Sequence, residues 1–231
     1  MKTFFCLALF ILSFNIRAQY RYGPVVQFGF SHVWSDFDDE LLEHRRLFGA
    51  AYSLGFFGEK NISAKSSLGI CLQLQHIGSH EETEGAYYTP RNASHSYQDV
   101  DTYRRSLGYL SIPIYYSYDY SSKIKLQVGW NTSFFLVHFQ NYIWARHRDD
   151  KFVPTYLGQS KYLGFAGDDR YTFIDFGPQL GVLYSFKPHW QIQATYYHGL
   201  QQIVASRSDW QAYNRSFQLG LRYILKTVPQ S

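Results

Sequence analysis

The residues of this chain that could do chemistry are nine histidines, three Asp-Asp pairs and a set of amides recurring at every second position. A metal site needs its ligands within reach of one ion. His76 and His80 are four residues apart, and on a strand that spacing separates them by about 13 Å. Ser31 and Ser79 each directly precede a histidine, which puts the two side chains of each couple on opposite faces of an extended chain. The pairs Asp38-Asp39, Asp149-Asp150 and Asp168-Asp169 offer oxygen to calcium or magnesium, but none has an ordered carboxylate spacing such as an EF-hand. With EETE at 81 to 84 they read as solvated charge, so no metal and no cofactor is expected. A further polar set shares one parity: Lys125, Asp175, Arg222 and Lys226 amid Gln27, Gln73, Gln75, Gln127, Asn131, Gln179, Gln191, Gln193 and Gln218. It is either a solute path or a buried network, each member needing a partner because unpaired burial is costly. The network reading is preferred, with Gln73, Gln127, Asn131, Asp175, Gln179, Gln218 and Arg222 as its members.

Period-two alternation is what positions these side chains. It runs through eight segments: 21 to 35, 48 to 57, 66 to 77, 109 to 120, 123 to 139, 171 to 186, 190 to 199 and 214 to 226. In the fifth, Ile124, Leu126, Val128, Trp130, Phe134 and Leu136 alternate with Lys125, Gln127, Gly129, Asn131 and Ser133. His32, His76, His138 and His198 fall on the apolar parity near one end of their strands, as residues with an apolar body and a polar tip do at an interface. Pro113 sits on the polar parity of YLSIPIYYSYDY and removes a ladder donor, which predicts a bulge or local bend. Pro24 and Pro178 pose the same problem on the apolar parity.

The chain starts with Met1, Lys2 and Thr3, then FFCLALFILSF and NIRA: a basic start, a short apolar run and a small residue at 18, the pattern of a cleaved export signal over 1–18. The run is too short to span a bilayer as a helix, and Cys6 lies too early in it to accept a lipid. Without Lys2 and Arg17 the remainder, 19–231, has 20 basic residues against 18 acidic ones. That balance is no nucleic-acid footprint. Cys71 is then the only cysteine, so no internal disulfide is available. One domain suits this length. Aromatic residues make up 19% of the chain and charged ones 17%, a balance ordinary for a membrane barrel with aromatic girdles.

Short connections, roughly 58 to 65, 119 to 122 and 187 to 189, alternate with long ones, roughly 36 to 47, 78 to 106, 140 to 170 and 200 to 213. All long loops therefore lie at one end. One strand face is Leu, Ile, Val, Phe, Trp and Tyr; the other is Gly, Ser, Gln and Asn, too small and too weakly charged for a solvated exterior. An eight-stranded barrel is just wide enough for such side chains to fill. With its apolar face outward in lipid, every backbone group must be bonded strand to strand. The pattern predicts an all-β, eight-stranded antiparallel up-and-down transmembrane barrel in the outer membrane, long loops outward. Tyr22, Tyr118, Tyr120, Tyr184, Phe186, Trp190 and Tyr223 fit one girdle and Trp34 the other.

The stretch YLSIPIYYSY, a short turn and KIKLQVGW resemble the signature hairpin of the PorT-like outer-membrane β-barrel family, with Gly129 as the hairpin's glycine. FQLGLRYIL and GPQLGVLYSF are similar to its later strands. The resemblance covers essentially the whole chain after the signal and implies an OmpA/OmpX-like barrel and, through the family's namesake, an association with protein secretion. Ser111 departs from the acidic residue many members carry. Some eight-stranded barrels are lipid-modifying enzymes that resemble hydrolases with a serine two residues after a lipid-facing histidine. No histidine here has that spacing, and the expectation is that the chain is not an enzyme. The leading reading is anchoring or surface interaction through the long loops, with Tyr142, Trp144, Arg146, Arg148, Tyr156 and Tyr162 as a surface for a protein or glycan. A narrow small-solute channel, a lipid-A-modifying enzyme and a soluble lipid carrier stay open beside it. Expected partners are outer-membrane lipid and lipopolysaccharide, with no nucleic acid, and the chain is expected to be a monomer.

Overall fold

The structure is a computed structural model that describes residues 20–36, 42–85, 98–148, 151–163, 172–203 and 211–228. The segment read as an export signal and the three acidic pairs lie outside them. Among the described residues ten strands follow in chain order: β1 (Tyr20–Asp36), β2 (Leu42–Asn61), β3 (Ser66–Gly85), β4 (Gln98–Asp119), β5 (Ile124–Arg148), β6 (Lys151–Leu163), β7 (Ile174–Lys187), β8 (Trp190–His198), β9 (Gln211–Tyr223) and β10 (Lys226–Val228). Every pairing is antiparallel. The order β1-β2-β3-β4-β5-β7-β8-β9 closes through β9 onto β1, from Val25↔Arg222 to Asp36↔Gln211. The eight-stranded barrel expected from the alternation is therefore the fold.

The register sets the tilt. Stepping from partner to partner, Tyr20 leads through Lys60, Leu68, Tyr116, Val128, Leu180, Tyr196 and Phe217 back to β1 at Phe30. The stagger is about ten residues; with eight strands about 4.8 Å apart and about 3.3 Å per residue it corresponds to a tilt of about 40°. The inverted polarity holds through the middle of the barrel: Val128, Leu180 and Leu219 are 53%, 54% and 54% exposed, whereas Gln127 and Gln218 are buried. No helix among the described residues is long and apolar enough to cross a membrane, which says nothing about a β-barrel.

The prolines fall where the ladder can spare a donor. Pro24 faces the break between β9 and β10, where the register on β1 slips by one residue across Ile224 and Leu225. Pro178 lies one residue beyond the last β7–β8 pair, Gln179↔Tyr197. Of the bulge or local bend expected at Pro113, no bulge is present. The β3–β4 register is the same on both sides of it, and the pairing is interrupted between Ile70↔Ile114 and Gln73↔Ser111.

Two of the expected long loops are largely strand. β3 and β4 stay paired out to Gly85↔Asp99, and the acidic run at 81–84 lies in that ladder. β5 pairs with β7 only from Ile124 to Phe134, then gives the same edge to β6 from Val137 to Arg148. Strands β2 to β6 thus continue past the rim as a sheet. Its tallest stretch, the β5 segment above Phe134, rises about 35 Å at the same tilt.

Candidate functional site

The lumen is filled in tiers, each built from inward side chains that alternate with the lipid-facing ones. At the turn end Glu59, the third-last residue of β2, gathers the charges. Its Oε1 accepts hydrogen bonds from Arg222 Nη2 at 2.8 Å and from the Tyr115 hydroxyl at 3.2 Å. Its Oε2 lies 3.6 Å from Lys125 Nζ and 3.5 Å from Arg21 Nη2. Lys125 reaches Asp119 at 3.4 Å as well. The Arg222 guanidinium covers the Phe57 ring, 3.6 Å from its centroid, a cation–π contact that shields it further. Val25, Phe57, Cys71, Tyr115 and Ile224 form an apolar cluster around this group. The Tyr115 ring lies over Gly69, its partner in register on β3, and so reaches Glu59 on β2. A Cβ on Gly69 would come within 2.2 Å of the tyrosine ring.

The middle tier is a belt of amides and hydroxyls. The Ser53 hydroxyl shares its one proton between Gln27 Oε1 at 2.9 Å and Gln218 Oε1 at 3.2 Å; Gln27 donates to Thr195 at 3.1 Å. Gln193 donates to Thr195 at 2.9 Å and to Gln127 Oε1 at 3.3 Å, and Gln127 to Ser117 at 3.1 Å. Ser111 joins Gln75 and Ser133, both at 2.7 Å, and Asn131 donates to Ser133 at 3.0 Å. Such pairing is what permits polar groups this deep. Toward the loop end Asn214 Nδ2 donates to Asp175 Oδ2 at 2.8 Å and to the Tyr109 hydroxyl at 3.0 Å. Val33, Ile77, Leu107, Tyr109, Phe135, Ile203 and Ala212 then form a second apolar cluster.

The seven residues read as one polar network are separated by this layering. Gln127, Asn131 and Gln218 stand in the belt, Asp175 in the outer group and Arg222 in the turn-end cluster. Gln73 has the Cys71 thiol 3.9 Å away, and Gln179 lines the wall half-buried. Four important members were not read from the sequence: Glu59, Tyr115, Tyr109 and Asn214. The parity of Ser53, Gly55 and Phe57 points on to Glu59, two residues past the assumed strand end.

His138 departs from its expected lipid-facing place. A bulge opposite Gly108 and Tyr109, where Val137 and Phe135 are partners and Leu136 is extra, reverses the parity of β5. His138 is consequently buried, opposite Leu107. The six residues read as a loop surface lie in strands: Tyr142, Trp144, Arg146 and Arg148 on β5, Tyr156 and Tyr162 on β6. Trp144 and Tyr156 are direct partners, and Tyr142 faces Gly158. Among the described residues no group of histidine, cysteine and carboxylate side chains could hold a metal ion.

The family described as outer membrane protein beta-barrel domain matches residues 12–205. No curated protein matches the sequence. Among solved structures the chain is similar to Neisserial surface protein A, at 12% identity over 89% of this chain and 97% of that one, TM-score 0.39. It is similar to Ail, the attachment invasion locus protein of Yersinia pestis, at 9% identity over 91% and 100%, TM-score 0.41. It is also similar to the outer membrane protease OmpT of Escherichia coli, at 10% identity over 90% and 96%, TM-score 0.34. The last corrects one expectation. Barrels of this kind include a protease, so the absence of a His-x-Ser spacing gives no ground for calling the chain a non-enzyme.

Proposed function

The chain belongs to the outer membrane protein beta-barrel domain family, and from that premise we propose that it anchors a contact surface: the barrel holds a projecting sheet outside the outer membrane, and the sheet meets a protein or glycan. The observation that carries this reading is the continuation of β2 to β6 beyond the rim, ending in β6, which pairs with β5 alone among the described strands. An edge strand offers a row of backbone donors and acceptors to an extended partner. Tyr142, Trp144, Arg146, Arg148, Tyr156 and Tyr162 all lie on this terminal hairpin, and residues of these types dominate contact energies. The tiered lumen supports a plugged barrel over a small-solute channel.

Export by a cleaved signal over residues 1–18, a monomeric state and a place beside a protein-secretion apparatus, the last resting on the PorT-like hairpin, belong to the same proposal. Its test is site-specific photocrosslinking from position 156 in intact cells. Discrete adducts are expected from position 156 and not from a control position at the turn end, Ile62, which is exposed between β2 and β3, while both proteins sediment with outer membranes. No adduct from position 156, the same adducts from position 62, or steady conductance of the refolded protein in planar bilayers would refute the reading.

A further inference from the structure

Across three neighbouring strands the outer wall of the barrel carries a row of basic side chains: His32 on β1, Arg215 on β9 and His198 on β8. They are direct partners, His32↔Arg215 and His198↔Arg215, and all three are outward positions, half-buried. One step toward the turn end lies a matching apolar row, Phe30↔Phe217 and Tyr196↔Phe217, exposed throughout. Phe48 on β2 flanks the rows, its ring 5.7 Å from that of His32. On the other flank the Tyr196 hydroxyl is 3.3 Å from His198 Nδ1. Between these flanks runs a groove of about 780 Å³, lined largely by the aromatic rings.

Position along the barrel axis decides what such a groove can hold. From Tyr22 to His32 β1 advances about 33 Å along the strand, or about 25 Å along the axis at a tilt of about 40°. That is the height of the apolar band of an outer-membrane barrel. With the turn end periplasmic, the basic row stands at the outer edge of the hydrocarbon and the groove opens just beneath it. A guanidinium binds phosphate through paired N–H donors, and the rings below offer contact to an acyl chain. The row spans two strand spacings, about 10 Å, wider than one phosphate and suited to a saccharide headgroup.

We propose that this row and groove bind a phosphorylated, acylated saccharolipid of the outer leaflet, Arg215 and its flanking histidines holding the phosphate and the groove one acyl chain. The proposal rests on the outer-membrane reading above and on the loop end facing outward. The test is native mass spectrometry of the full refolded chain in detergent with three probes: bis-phosphorylated lipid A, the same lipid dephosphorylated, and phosphatidylglycerol. One lipid A is expected to stay bound, with retention at least about tenfold lower for the dephosphorylated form and for Arg215→Gln. His32→Gln combined with His198→Gln lowers it several-fold, and Lys60→Gln at the turn end leaves it unchanged. Heat-modifiable gel mobility shows that each variant has folded. Equal retention of phosphatidylglycerol, or wild-type retention by a folded Arg215→Gln, overturns the site alone. Failure of the protein to sediment with outer membranes overturns the reading on which the site rests.

Discussion

Replacing Glu59 by glutamine keeps the side-chain shape and removes the carboxylate that faces Arg222, Lys125 and Arg21. The magnitude follows from who is left behind. Arg222 and Lys125 are 1% and 5% exposed, so neither recovers water when its partner goes. Removing one member of a buried ion pair costs about 3–5 kcal/mol for that reason, and the less buried Arg21 contact adds under about 1 kcal/mol. A loss of that size is roughly two to four decades in the folding constant. Denaturant unfolding of the refolded protein, followed by tryptophan fluorescence and by heat-modifiable mobility, measures it directly. Adding Arg222→Met to Glu59→Gln removes the stranded charge, so the double variant is expected to be about 2 kcal/mol more stable than the sum of the single losses. Raised salt should restore little, since screening acts weakly on buried charges. A Glu59→Gln loss below about 1 kcal/mol, or additive single variants, would refute the placement of this cluster in a dry lumen.

Three further outcomes follow from the same geometry. Leu219→Arg puts a charge on the lipid face beside Phe28 and Ala194; it is expected to cost about 2–4 kcal/mol in bilayers, and unchanged stability there would count against a lipid-facing wall. Gly69→Ala drives a Cβ to within 2.2 Å of the Tyr115 ring, and the displaced ring is expected to lower stability by about 1–3 kcal/mol, read as a shift of the unfolding midpoint; no shift would mean that the ring does not lie over the glycine. Cys71 is buried and free of disulfides, so a charged maleimide should label it only after unfolding. Rapid labelling of the folded protein would point to an open lumen and return the solute path to consideration.

The alternation of the strands was legible in the amino-acid order because a period of two reports which face each residue takes, whatever its neighbours are. That was enough for the strand count, the inverted polarity, the inward place of Gln127, Gln218 and Arg222, and the outward place of Leu126 and Leu180. Parity runs only as far as the register does, and register depends on other strands. The extra residue at Leu136 reversed β5 and turned His138 inward, a change visible only once Val137 and Phe135 were matched to Gly108 and Tyr109. The extension of β2 to β6 past the rim likewise needed the long-range ladder, since polar stretches such as EETE pair as strands when a partner is already aligned beside them. Which inward groups meet was decided by closure of the sheet, because Glu59 and Arg222 are 163 residues apart in the chain. The row of His32, Arg215 and His198 arises in the same way, from three strands whose relative heights are set by the stagger of the closed barrel.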